Sequence, residues 1–144
     1  MNTGHQFFGL KSPRDMLEKA RGEFTRMQAD LSTNNVFNFV ITANHIWDYA
    51  KDSGIPMDQL PSAGDFQLCR ELCNMAKHLS HKYTYKDNKY SEESVKLWAE
   101  GLWAEGLWDG KQAIFEFEGK QVDIIEFAMR VIDGWDAFLT QHGR

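Results

Sequence analysis

The chain has 144 residues, of which 42% are hydrophobic and 13% aromatic, enough for one domain with its own core and without disulfides or a structural metal. Its 16 Lys and Arg against 21 Asp and Glu give a net charge of −5, which excludes binding to nucleic acid or anionic membrane without a local basic patch. The first residues, MNTGHQFFGLKS, lack the features of a secretory signal, and no segment is apolar enough to span a membrane. We therefore expect a cytoplasmic protein with a flexible N-terminus at residues 1–11 and a single helical domain at residues 12–144.

The first predicted helix begins at residue 13. Ser12 is a good N-cap, Pro13 suits the first helical position, and Asp15 lies in the first turn. Apolar residues then recur at steps of three and four, the spacing of a seam that faces another helix: Leu17, Ala20, Phe24, Met27 and Leu31. We expect this helix to end between Ala29 and Leu31.

The second predicted helix is nearly apolar all round, which indicates a central position. It starts at the cap candidates in LSTNN and stops at Gly54, with Pro56 just beyond. Its apolar arc is wide: Val36, Phe39, Val40, Ala43, Ile46, Trp47 and Ala50. A thin polar strip remains, formed by Asn38, Thr42, His45, Tyr49 and Asp52, with Asp48 at its edge.

Residues 66–82, FQLCRELCNMAKHLSHK, predict a third helix with two different faces. One face is apolar and belongs to the core: Leu68, Leu72, Met75, Ala76 and Leu79. Because helical residues advance by about 100° each, the opposite face collects polar groups within a sector of similar width: Arg70, Asn74, Lys77, His78 and His81. Cys69 and Cys73 border the apolar face, so we expect reduced, buried thiols.

Beyond Tyr83 the helical period is lost in KYTYKDNKY, which predicts a loop. A helix from Ser91 is then expected to fail inside a tandem five-residue repeat, LWAEGLWAEGLWDG, since each internal glycine costs about 1 kcal/mol relative to alanine. The repeat spaces Trp98, Trp103 and Trp108 evenly. Exposed tryptophans at this spacing would form an adhesive patch.

The last segment predicts a hairpin followed by a helix. QAIFEFEGKQVDI alternates around Gly119, which is typical of a short β-hairpin. Asp123 is a good N-cap for a closing helix, whose apolar stripe is Ile124, Ala128, Val131, Trp135, Phe138 and Leu139. The predicted fold class is therefore mainly α, a bundle of four or five helices with a small β-hairpin before the C-terminal helix.

The polar face of the third helix is the strongest candidate for a catalytic site. An imidazole with a pKa near neutrality can move a proton, and a cation can stabilise charge on a phosphate, as cleavage of RNA requires. The candidate catalytic residues are Arg70, Asn74, Lys77 and His78. The same residues also fit a solvated helix face without a catalytic role. His45, Asp48 and Trp103 are interpreted as binding residues.

Metal binding is a weaker interpretation of the same histidines. His45 and Asp48 are three residues apart, as are His78 and His81, and helical bundles build metal sites from facing helices. The glutamates that such sites use are missing from these faces. We therefore expect no metal and no cofactor.

Two long segments resemble a family of small helical proteins from bacteria and phages: NVFNFVITANHIWDYA, followed by LCRELCNMAKHL. In that family a stretch rich in glycine and aromatic residues leads into a strand pair and a closing helix, to which GLWAEGLW, AIFEFEGKQVDI and VIDGWDAFL are similar. The resemblance covers most of residues 12–140. It implies the helical fold but no established activity.

A looser resemblance is to HEPN domains, helical bundles of toxin and phage-defence systems, many of which are dimeric, metal-independent RNases. Their motif is an arginine, four to six residues and a histidine, whereas Arg70 and His78 are separated by seven. Two functions follow as expectations. The first is an interaction or regulatory module that binds a protein partner or itself, and the alternative is a HEPN-like, metal-independent RNase or RNA-binding module.

Overall fold

A computed structural model of the protein describes residues 7–77, 114–117 and 120–144. This part of the chain is mainly helical, which confirms the predicted fold class. The four helices are α1 (Pro13–Ala29), α2 (Thr33–Asp52), α3 (Asp65–Lys77) and α4 (Ile124–Gln141). A 3₁₀ turn (Met57–Gln59) lies between α2 and α3, and two strands, β1 (Ile114–Phe117) and β2 (Lys120–Asp123), precede α4.

Helices α1, α2 and α4 begin where the sequence supplies capping oxygens. Ser12 Oγ accepts a hydrogen bond from the backbone N–H of Asp15 at 3.1 Å, and Ser32 caps α2 in the same way. The Asp123 carboxylate accepts from two backbone N–H groups of the first turn of α4. A cap of this kind stabilises a helix by roughly 1 kcal/mol, so these short polar side chains determine the helix boundaries.

Glycine ends α2 as predicted. Gly54 has φ +100°, a left-handed backbone conformation that glycine adopts without steric cost. The chain turns there, and Ile55 and Leu60 bury their side chains on the way to α3. The segment between α2 and α3 is therefore packed against the bundle.

The core lies around α2, which contacts α1, α3 and α4. Its predicted apolar arc is almost entirely buried, and Trp47 alone of that arc is only half-buried. The largest fully buried side chains come from α1, α2 and α4: Phe39, Phe127, Leu17, Met27, Ile46, Ile124, Leu139, Val36, Val40 and Val131. The predicted central position of the second helix is confirmed.

Aromatic contacts dock α3 against α4. The ring of Phe66 meets the ring of Trp135 edge to face, with centroids 5.1 Å apart. Gly134 permits this approach, because a Cβ at that position would lie 2.8 Å from the Phe66 ring. Arg130 of α4 also donates to both carboxylate oxygens of Asp65, at 3.0 and 3.3 Å.

Arginines hold together the end of the bundle where α1 starts and where α2 and α4 finish. Arg14 donates to Asp136 at 2.6 Å and to the carbonyl oxygen of Arg144 at 3.0 Å. The guanidinium of Arg144 in turn donates to the hydroxyl and the carbonyl of Ser53. The hydrogen bond from Arg14 is the largest of the effects that hold the pKa of the Asp136 carboxyl below its ordinary value.

The predicted hairpin is confirmed in the paired residues. β1 and β2 are antiparallel, with Phe117 opposite Lys120 and Ile114 opposite Asp123. β2 is followed directly by α4, since β2 ends at Asp123 and α4 begins at Ile124. Asp123 is therefore both the last residue of β2 and the N-cap of α4.

Candidate functional site

The structure brings two separately predicted sets of residues together where α3 packs on α2. Cys69 Sγ lies 3.8 Å from the carbonyl oxygen of Val40, and one turn further along both helices Asn44 lies near Cys73, where it acts to lower the pKa of the thiol. We call this line of contacts the α2–α3 seam. It comprises Val40, Asn44, His45, Trp47 and Asp48 of α2 with Cys69, Arg70, Cys73 and Lys77 of α3.

His45 and Lys77 interact electrostatically at one end of the seam. Burial lowers the pKa of His45 from its ordinary value of 6.5, and the positive charge of Lys77 lowers it further. The carboxylate of Asp48 acts in the opposite direction. His45 is therefore a neutral imidazole near neutral pH, able to accept a proton beside a cation.

The two cysteines of the seam are buried free thiols, as predicted. Burial raises the pKa of the Cys73 thiol above its ordinary value, although Lys77 and Asn44 act against this. Burial likewise raises the pKa of the Cys69 thiol. Burial thus favours the protonated thiol at both positions, where the cysteines contribute to packing.

Arg70 occupies a position that sequence reasoning did not identify. Its guanidinium carbon lies 5.6 Å from the centroid of the Trp47 ring, a cation–π arrangement. The two side chains line a shallow pocket with Phe66 and Trp135 as further walls and Asn44 at its edge. The predicted catalytic arginine is thus held against an aromatic ring.

The remaining predicted residues fall into two groups. Asn74 is half-buried and Lys77 is exposed at the end of α3. His78 and His81, and the five-residue repeat with Trp103, lie outside the described residues. The structure therefore brings His45, Asp48 and Lys77 close enough to interact electrostatically. The catalytic and binding roles of the other residues stay predictions.

A second candidate feature is the turn Phe7–Leu10, here called the aromatic turn. The backbone N–H of Leu10 donates to the carbonyl of Phe7 at 2.9 Å, and Phe8 has φ +53°. The rings of Phe7 and Phe8 meet edge to face, with 65% and 85% of the two residues exposed. Sequence reasoning missed this feature, although Gly9, three residues before the Ser12 cap of α1, is a turn signal.

The described part of the chain contains neither a cluster of metal-ligating side chains nor a membrane-spanning helix. No group of three or more His, Cys, Asp and Glu side chains is placed there to hold a metal ion. Among the same residues, no helix combines the length and apolar character needed to cross a membrane.

Comparisons of the chain with models of protein families, with curated proteins and with solved structures gave no match. The two resemblances drawn from the sequence therefore remain predictions. Any functional conclusion rests on the seam, the pocket and the aromatic turn.

Replacing Lys77 with methionine is expected to raise the pKa of His45, because the substitution removes a cation that disfavours the imidazolium. NMR titration of the His45 ring proton measures this change, and Lys51→Met, at an exposed position of α2, is the matched control. In the wild type the folded pKa of His45 lies below the unfolded value. Its contribution to stability is therefore complete above pH 6.5 and is lost as the pH falls through the lowered pKa. An unchanged titration in Lys77→Met would contradict the proximity of the two groups.

Proposed function

We propose that the protein is a small interaction module, with a regulatory or scaffolding role, that binds a protein partner or a second copy of itself through the aromatic turn. The observation that carries this proposal is the exposure of Phe8, whose ring lies outside the core while the backbone holds it in a left-handed conformation. A non-glycine residue in this conformation costs on the order of 1–3 kcal/mol. The aromatic turn therefore holds two exposed rings at a cost in conformational free energy. Binding of a partner to these rings would offset that cost.

The energetics of protein interfaces support the same proposal. Large aromatic side chains that become buried at an interface commonly contribute most of the binding free energy. The aromatic turn directly precedes α1, whose first residues are tied to the ends of α2 and α4 through Arg14 and Arg144. The turn is attached to this end of the bundle through Leu10, which packs against the core.

The experiment compares Phe8→Ser with Phe37→Ser. Phe37 is the matched control, because it is an exposed phenylalanine on α2, 44% accessible and away from the turn. Sedimentation velocity over a concentration series measures self-association, and quantitative co-purification from the native cell measures partner binding. We expect Phe8→Ser to weaken the complex by roughly 30-fold, the effect of a contact worth about 2 kcal/mol, and Phe37→Ser to leave it intact. A complex insensitive to Phe8→Ser, or a monomer without partner, would reject the proposal.

A second candidate function is metal-independent cleavage or binding of RNA at the α2–α3 seam. One observation favours it: His45 is a neutral base beside Lys77, so the seam adds a proton acceptor to the predicted cationic face of α3. Arg70 would supply a second cation for phosphate. The net charge of −5 opposes RNA binding over the rest of the surface.

This second function is tested with single-stranded RNA in the presence of a chelator. The variants are His45→Ala, Lys77→Ala and His78→Ala, with Lys51→Ala as the control for charge. Cleavage lost in the first three and retained in the control would establish a metal-independent RNase. RNA that stays intact with the wild type, together with no binding in a gel-shift experiment, would leave the interaction module alone.

A further inference from the structure

We draw no further inference here: the strongest candidate, the exposed surface patch that the rings of Phe7 and Phe8 form in the turn before α1, belongs to the site already described, and nothing in the structure shows what covers it.

Discussion

Phe39→Ala is expected to lower the free energy of unfolding by about 4 kcal/mol, the cost of truncating a fully buried aromatic side chain and leaving a cavity behind. Phe39 is 0% exposed at the centre of α2, and its ring centroid lies 6.3 Å from that of Phe24 on α1. The packed helices on three sides of α2 cannot collapse into the space. Since small domains are stable by only about 5–15 kcal/mol, the variant should be near the limit of folding.

Phe37→Ala is the control for this first prediction. It makes the same chemical change two positions away on the same helix, where the side chain is 44% exposed. A surface truncation of this kind changes stability by no more than about 0.5 kcal/mol. Urea denaturation followed by circular dichroism measures both variants. Equal losses at the two positions would contradict the burial pattern of α2.

Trp135→Ala is expected to cost roughly 3–5 kcal/mol and to release α3 more than the other helices. Trp135 is 2% exposed, and its ring meets Phe66 of α3 and Phe138 of α4, both edge to face. Because Phe66 anchors the start of α3, the loss of this contact removes much of the apolar attachment between α3 and α4. Amide hydrogen exchange, resolved by residue, should therefore accelerate most in α3.

Asp133→Ala is the matched control for the second prediction, since Asp133 is exposed on the same turn of α4. It should change stability by no more than about 0.5 kcal/mol and leave the exchange pattern unaltered. Acceleration of exchange spread evenly over α1, α2 and α3 in Trp135→Ala would show that the bundle opens as one unit. That result would contradict a special role of Trp135 in docking α3.

The α2–α3 seam makes the second candidate function depend on how α3 is docked. His45 and Lys77 interact where α3 packs on α2, so displacement of α3 would separate them. Trp135→Ala is therefore also expected to disturb this pair.

Local signals in the sequence were sufficient for most of the fold. Ser12, Ser32 and Asp123 are capping residues whose effect depends on a few neighbouring backbone groups, and the helices begin at each of them. The apolar arc of α2 is wide enough to require burial on several sides, whatever surrounds it. The alternation of QAIFEFEGKQVDI around Gly119 predicted the antiparallel pairing of β1 with β2.

The candidate site could be predicted only in part. The polar face of α3 could be predicted, because Arg70, Asn74 and Lys77 lie on one helix and its period of 3.6 residues places them on the same side. The contacts of α3 with α2 could not be predicted. The positions of Asn44 near Cys73 and of Trp47 near Arg70 depend on how α3 packs against α2. No short-range rule sets that packing.

The sequence by itself thus determined the helix boundaries, the core faces, the hairpin and the reduced state of the buried thiols. Those features follow from capping, periodicity and turn chemistry, which act over a few residues. Only the tertiary structure decided that Arg70 stacks on Trp47, that Lys77 lies near His45, and that Phe8 stays outside the core. The physical reason is that these arrangements result from packing between segments distant in sequence, where the free energy of the whole bundle selects one docking geometry.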